Sequence, residues 1–115
     1  MIRWIEVHNI SQVEEIKSRS KSIPCVLFKH STRCSISSVA KYRLEDQWEF
    51  PEKTAECFFL DLLSHREVSN YIAETFQVHH ESPQVLVIRE EECIYDVSHL
   101  DITVSDIREY LQASF

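Results

Sequence analysis

The stretch PCVLFKHSTRCSIS, residues 24–37, contains the strand, the loop and the helix start on which the fold prediction depends. Its first part, residues 24–29, is a short continuous apolar run of β-favouring residues, which is typical of a buried strand. Its second part carries Cys34 among small polar residues and one arginine. From Ser35 onward, apolar residues recur at helical spacing. The stretch therefore predicts a buried strand that leads through a short loop into a helix beginning at the cysteine.

Similar strand and helix patterns alternate along the rest of the chain. They predict helices from Ser11 to about Lys21, over 35–46, over 66–76 and from about Val104, and strands over 24–29, 56–63, 84–89 and 92–97. Ser11 is the predicted N-cap of the first helix, with Glu14 at the capping-box position, and Thr103 is the predicted N-cap of the last. The second helix is expected to bury a stripe formed by Ile36, Val39, Ala40 and Leu44.

The order of these elements limits the topology. A strand–helix–strand unit needs parallel pairing with a right-handed crossover, whereas the last two strands are separated only by a short acidic turn and predict an antiparallel hairpin. The expected α/β fold is a mixed four-stranded sheet with helices on both faces. This is the layout of a thioredoxin-like fold, and residues 1–115 are expected to form one such domain.

Composition excludes several classes of function. A net charge of −7 without any basic run argues against nucleic-acid binding. No apolar run approaches the length needed to span a membrane, and the N-terminus lacks the apolar region of a secretory signal, so we expect a cytoplasmic protein without membrane association. The chain has no glycine, which excludes glycine-rich phosphate-binding loops. Nothing in the sequence requires more than a monomer.

Four cysteines need an explanation in a reducing compartment. Cys25, Cys57 and Cys93 each lie in or beside an apolar strand, and we expect them to be buried, reduced thiols. A zinc site would need ligands at short paired spacings, which are absent, so no metal is predicted. Cys34 has no apolar neighbours in the sequence, and this weakens the interpretation that it only helps to cap and pack the helix start.

The predicted position of Cys34 favours its thiolate. The free backbone N–H groups and the dipole of the helix start act on the sulfur, and the thiolate is the nucleophilic form of cysteine. Arg33 adjoins the thiol, and His30 could add a second positive charge when protonated. Ser37 stands where a dithiol enzyme has its resolving cysteine, and we expect its hydroxyl to donate a hydrogen bond to the sulfur. Because serine forms no disulfide, the predicted chemistry is monothiol exchange.

Pro83 directly precedes the third predicted strand. A proline there is often a plain first-strand residue. In a thioredoxin-like layout, this is the position of a cis-proline that packs against the reactive cysteine. Ser82 would then present its backbone N–H and C=O to an extended substrate, as an added strand would.

The run FKHSTRCSIS, residues 28–37, resembles the signature of the YtxJ-like monothiol bacilliredoxins, whose motif is usually Thr-Cys-Pro-Ile-Ser after a Phe-Lys-His-Ser-type strand end. The element order and the N-terminal Trp4 fit as well. The resemblance implies a thioredoxin-like fold and the removal of bacillithiol from cysteines of other proteins after oxidative stress. It assigns Cys34 as the nucleophile, Ser37 as the motif serine and Pro83 as the cis-proline.

The sequence departs from this signature at Arg33, where threonine is common, and at Ser35, where proline is common. Losing proline at the first helical position loosens the helix start. Arg33 is expected to pair with a carboxylate of the small thiol. The resemblance implies no bound cofactor, a bacillithiol-like thiol as co-substrate, and S-thiolated cytoplasmic proteins as partners.

Two other functions remain open from the residues alone. One is a non-catalytic thioredoxin-like module that binds peptides at Ser82 and Pro83 and keeps a decayed CxxS site. The other is a redox sensor in which oxidised Cys34 pairs with another cysteine of the chain, such as Cys25.

Overall fold

A computed structural model describes residues 2–112, which form a five-stranded sheet covered by helices. The elements are β1 (Trp4–Glu6), α1 (Ile10–Arg19), β2 (Cys25–His30), α2 (Ser35–Gln47), β3 (Glu56–Asp61), α3 (Arg66–Phe76), β4 (Gln84–Arg89), β5 (Glu92–Ser98) and α4 (Val104–Gln112). Short 3₁₀ turns occur at Glu52–Thr54 and His99–Asp101. No helix in this part of the chain is long and apolar enough to cross a membrane.

The sheet is mixed, with the strand order β1-β3-β2-β4-β5. β1, β3 and β2 run parallel, β4 is antiparallel to β2, and β5 pairs antiparallel with β4. The predicted parallel crossover from β2 through α2 to β3 and the C-terminal hairpin are therefore confirmed. The parallel pairing predicted for the unit β3–α3–β4 was wrong, because β4 joins the sheet antiparallel to β2. The thioredoxin-like layout follows from this order.

The prediction of four strands was wrong, because residues 2–112 contain a fifth, β1, at the sheet edge. It pairs with β3 from Trp4 opposite Cys57 to Glu6 opposite Phe59. Three residues are too few to show a strand periodicity in the sequence. Its residues are also partly or fully exposed, so no apolar run marks it. Only pairing with β3 makes this segment a strand.

β2 lies in the middle of the sheet, and all six of its residues are buried. Its alternate side chains enter two different cores. Phe28 packs into the apolar cluster that α2 and α4 cover, whereas Leu27 packs into the cluster that α1 and α3 cover. The predicted placement of helices on both faces is confirmed.

The buried stripe of α2 differs from the predicted one. Ser37, Ala40 and Leu44 are buried, whereas Ile36 and Val39 are 41% and 44% exposed. The predicted stripe was too wide because apolar spacing alone does not fix how a helix is rotated about its axis. The polar Ser37 faces the sheet, since its hydroxyl has a hydrogen-bonding partner there.

The first helix begins two residues earlier than predicted. Asn9 is its N-cap, and its side-chain oxygen accepts the Gln12 N–H at 2.9 Å and the Ser11 hydroxyl at 2.7 Å. Ser11 therefore lies in the first turn, and the capping box predicted there was wrong. At α4 the prediction is confirmed, because Thr103 Oγ1 accepts the Asp106 N–H at 3.2 Å.

The turn between β4 and β5 uses two residues in the left-handed region, Glu90 (φ 51°) and Glu91 (φ 68°). Glycine or asparagine is usual in such a hairpin turn. Ser20 compensates here, because its carbonyl accepts the Glu90 N–H at 3.0 Å and its hydroxyl accepts the Glu91 N–H at 2.9 Å. The acidic turn is thereby tied to the end of α1.

Candidate active site

Cys34 is the N-cap residue of α2, four residues beyond the end of β2. Its backbone is extended (φ −108°, ψ 121°), its N–H donates to the Ser31 carbonyl at 3.1 Å, and its own carbonyl accepts the Ser38 N–H at 3.1 Å. The thiol is half-buried and forms no side-chain capping hydrogen bond. The helix start at this position is as predicted. The helix dipole, rather than direct N–H contacts, is the effect that acts on the sulfur.

The other three cysteines are in environments that suppress reactivity. Burial raises the pKa of Cys25 and of Cys57 to about 12, and that of Cys93 to about 11. Cys25 and Cys57 are buried, as predicted. Cys93 is only half-buried, which corrects the prediction; it sits at the bulge opposite Ile88 on the edge strand, and its thiol donates to the Tyr95 carbonyl at 3.3 Å. These thiols stay protonated at neutral pH.

The Ser37 hydroxyl binds the end of β2 instead of the sulfur. Its Oγ lies 2.6 Å from Nδ1 of His30 and accepts the Ser31 N–H at 3.0 Å. Since the oxygen accepts from Ser31, its proton is free to be donated to the imidazole nitrogen. No hydrogen bond joins Ser37 to Cys34, and this corrects the predicted contact. Ser37 instead fixes the first turn of α2 against the loop that carries the cysteine.

His30 is buried, with its ring 5.3 Å from the ring of Phe59 and 5.6 Å from that of Phe28 between centroids. Burial lowers the pKa of His30, and the nearby Lys41 lowers it further. The imidazole is therefore neutral at pH 7. The positive charge that the sequence allowed at His30 is not available to the thiol, because burial and the charge of Lys41 disfavour the protonated ring.

Arg33 is exposed beside the cysteine. Its guanidinium forms no hydrogen bond or ion pair with any residue between 2 and 112. It is the charged side chain adjoining Cys34 in the chain, and its head group is accessible to an anionic group that approaches the thiol. The pairing of Arg33 with a carboxylate of the small thiol stays a prediction.

The peptide bond between Ser82 and Pro83 is cis, as predicted. Pro83 is buried at the start of β4, and its carbonyl accepts the His99 N–H at 2.9 Å. Since Gln84 pairs with Lys29 near the end of antiparallel β2, the proline and the loop before Cys34 emerge at the same edge of the sheet. Ser82 Oγ is buried at this edge without a hydrogen-bond partner in the described structure.

Cys25 is too distant from Cys34 to form a disulfide with it. Cys25 begins β2, whereas Cys34 follows its end, and a six-residue strand separates its two ends by about 17 Å. A disulfide needs Cα atoms within about 7 Å. The sensor that pairs Cys34 with Cys25 is therefore incompatible with this fold.

Among residues 2–112, no group of three or more histidine, cysteine or carboxylate side chains is arranged to hold a metal ion. The chemistry available at this edge of the sheet is that of one accessible thiol. It lies at a helix N-terminus beside an arginine, with a cis-proline segment at the same edge.

Two features near this site were not predicted from the sequence. One is the contact between His30 and Ser37, which no spacing rule predicts because the residues belong to different elements. The other is the complete burial of Lys29 in the middle of the sheet. Its signal was visible, since a lysine inside an apolar strand run either snorkels to solvent or is buried with partners.

The order of the strands and the accessible thiol at the start of α2 define a class of protein, a thiol–disulfide oxidoreductase of the thioredoxin fold. One similar solved structure, provisionally described as an oxidoreductase with a thioredoxin fold, has a TM-score of 0.80 and 28% identity, covering 92% of this chain and 91% of that one. Thioredoxins from Trypanosoma brucei brucei (TM-score 0.73, 19% identity, 96% and 88% covered) and Malassezia sympodialis (0.74, 12%, 96% and 90%) share the fold.

The family is narrower than the fold. The model of the monothiol bacilliredoxin BrxC family matches residues 5–107, and the chain belongs to this family. The family resemblance noted in the sequence is thus confirmed.

Proposed function

We propose that the protein removes a low-molecular-weight thiol, of the bacillithiol type, from mixed disulfides on cytoplasmic proteins, with Cys34 as the nucleophile. The observation that carries the proposal is the contrast among the thiols. Cys34 is accessible at a helix start, whereas burial keeps the thiols of Cys25, Cys57 and Cys93 protonated. Membership in the monothiol bacilliredoxin family supports this chemistry.

The proposed reaction has two exchange steps. In the first, the Cys34 thiolate attacks the small-thiol sulfur of a protein mixed disulfide; a Cys34–small-thiol disulfide forms, and the protein cysteine leaves as a thiolate that takes a proton from water. In the second, the thiolate of another small thiol attacks the small-thiol sulfur of this disulfide. The small-thiol disulfide leaves, and Cys34 is restored as a thiolate. The second small thiol is the reductant, since Ser37 cannot resolve the intermediate.

The surroundings of Cys34 suit two-part recognition. Ser82 and Pro83 directly precede Gln84, which pairs with Lys29 near the end of β2, and we propose that the backbone of Ser82 pairs there with an extended protein segment. Arg33 offers a guanidinium to a carboxylate of the small thiol. His30 supports the site indirectly, through Ser37, and we propose no direct contact of its buried ring with the substrate.

Cap removal from an S-thiolated peptide tests the proposal directly. We expect wild-type protein to release the cap when the small thiol is supplied, and Cys34→Ser to fall to the uncatalysed rate. Cys93→Ser is the matched control, because it removes the other half-buried thiol and should keep the activity.

Turnover by Cys34→Ser would overturn the proposal. If wild-type protein binds thiolated peptides without releasing the cap, and Cys34→Ser binds them equally well, the peptide-binding module with a decayed site is the correct function.

A further inference from the structure

Lys29 is fully buried, yet the proposed thiol chemistry does not use it. Side chains alternate along β2, so Lys29 enters the core beneath α1 and α3, on the sheet face opposite His30. Its Nζ donates to the Ser69 carbonyl of α3 at 3.1 Å and lies 3.3 Å from Nδ1 of His80. The amino group thus joins β2, α3 and the segment that precedes β4.

Burying this amino group is costly. Burial lowers the pKa of Lys29 to about 8. Its partners are neutral acceptors, and no carboxylate of residues 2–112 forms an ion pair with it. Lys29, Ser69 and His80 form a cluster, and other charged or titratable groups face it through His80. They are Arg66 from α3, and Glu81 and His79 from the segment that contains His80. A buried cation held only by neutral groups is rare unless its contacts have a function.

The same cluster fixes both ends of the segment formed by residues 79–84. At one end, His80 Nδ1 is also 3.3 Å from the Ser69 hydroxyl. At the other end, Gln84 is the direct β-sheet partner of Lys29, and its Nε2 donates to the His79 carbonyl at 2.9 Å. Ser82 and Pro83 lie between these two attachments.

One polar atom at this cluster is left unsatisfied. Gln84 is fully buried, and its Oε1 has no hydrogen-bond partner in the described structure. Orphaned buried acceptors cost free energy and are uncommon away from functional sites. The hydrogen bond that Nε2 donates to the His79 carbonyl thus orients the side-chain amide of Gln84, although this orientation leaves Oε1 without a donor.

We propose that Lys29 is a positioning residue, whose buried amino group ties segment 79–84 to β2 and α3 and so holds the backbone of Ser82 and Pro83 in place for a protein substrate. The docking role rests on the proposed function. The attachment of segment 79–84 to β2 and α3 through Lys29 does not depend on that function, and it is measurable without any activity.

Lys29→Met tests this attachment, because methionine fills a similar volume but lacks the amino group that donates the hydrogen bonds. Lys53→Met is the matched control, since Lys53 is exposed and remote in the turn at Glu52–Thr54. In Lys29→Met, we expect hydrogen-exchange protection of the His99 amide, which donates to the Pro83 carbonyl, to fall by about tenfold, because the segment that carries this carbonyl loses one or two of its hydrogen bonds. The control should match wild type.

The substrate readout separates positioning from general damage. In Lys29→Met, the KM for an S-thiolated peptide should rise by about tenfold, while kcat and the alkylation rate of Cys34 stay within about twofold of wild type. His80→Ala provides a second variant, because His80 is half-buried and its loss removes one partner of Lys29 without opening the core. It should reproduce both changes if Lys29→Met does not fold.

The proposal would be overturned if a folded Lys29→Met kept both the wild-type protection and the wild-type KM. If Lys29→Met does not fold, the same result in His80→Ala would overturn it. So would a fall in kcat with KM unchanged. If the wild-type protein shows no cap removal, the proposed function fails, but the exchange measurement still decides whether Lys29 holds the segment.

Discussion

Ser37 occupies the position at which a dithiol enzyme has its second cysteine, and its side chain is held in the core. It is fully buried, and its hydroxyl joins α2 to both His30 and the backbone of Ser31. A serine here therefore has a structural role that does not depend on the sulfur of Cys34. The monothiol motif combines the absence of a resolving thiol with a specific attachment of the helix start.

Ser37→Ala should destabilise the protein by about 1–3 kcal/mol, because it leaves the buried His30 Nδ1 without a partner. Chemical denaturation at pH 7 measures the change. Ser38→Ala is the matched control, since Ser38 is exposed and its hydroxyl contacts only the Cys34 carbonyl at 3.4 Å; it should stay within about 0.5 kcal/mol of wild type. Equal stability of the two variants would show that the Ser37 contacts contribute nothing.

At the scale of elements, the start of α2 carries the proposed nucleophile, Cys34. The first residue of α2, Ser35, is exposed, and Cys34 caps the helix without a side-chain hydrogen bond. Its helical start therefore depends on Ser37 and on the backbone bond from Ser38 to Cys34. The family signature commonly has proline at position 35.

Ser35→Pro should stabilise the protein by about 0.4–1 kcal/mol, because proline at the first helical position restricts the unfolded chain and loses no intrahelical hydrogen bond. The midpoint of urea unfolding measures this. Ser38→Pro, one turn further, is the contrasting variant. It removes the Ser38 N–H bond to Cys34 and should be clearly destabilising. Destabilisation by Ser35→Pro would mean that the helix start differs from the one described.

How far the elements were predictable depended on their length and burial. The longer strands and the helices have a periodicity that sequence alone reveals, and their bounds agree within a few residues. The exceptions are β1, which is three residues long, and the rotation of α2, which turns Ile36 and Val39 outward. Both depend on contacts with other elements.

At the scale of the whole molecule, the buried thiols make stability sensitive to alkaline pH. The pKa values of Cys25 and Cys57 are raised to about 12 by burial, above the value of about 8.5 for an unfolded thiol. Between these values the unfolded state releases protons that the folded state retains. The contribution of each thiol to stability is therefore complete below about pH 8.5 and is lost progressively as the pH rises toward 12.

Between pH 8.5 and 10, each buried thiol should reduce the free energy of unfolding by about 2 kcal/mol. Lys29 acts in the opposite direction, since its lowered pKa of about 8 makes its burial less costly as the pH rises. We expect wild-type stability to fall over this range in the presence of a reductant. Cys57→Ala should show a decline smaller by about 2 kcal/mol. From pH 6 to 7.5 its stability difference from wild type should be constant; parallel curves at alkaline pH would contradict the assignment.

The sequence by itself determined the order of the longer elements and the position of Cys34 at a helix start, because periodicity leaves a local signal. The cis-proline at Pro83 followed from the thioredoxin-like layout that this order predicted. The sequence also carried the family signature. Only the tertiary structure decided that Ser37 bonds His30, that His30 is neutral, and that Lys29 is buried beneath the segment bearing Pro83. Burial and charge state arise where elements distant in sequence pack together, and such contacts have no local signal.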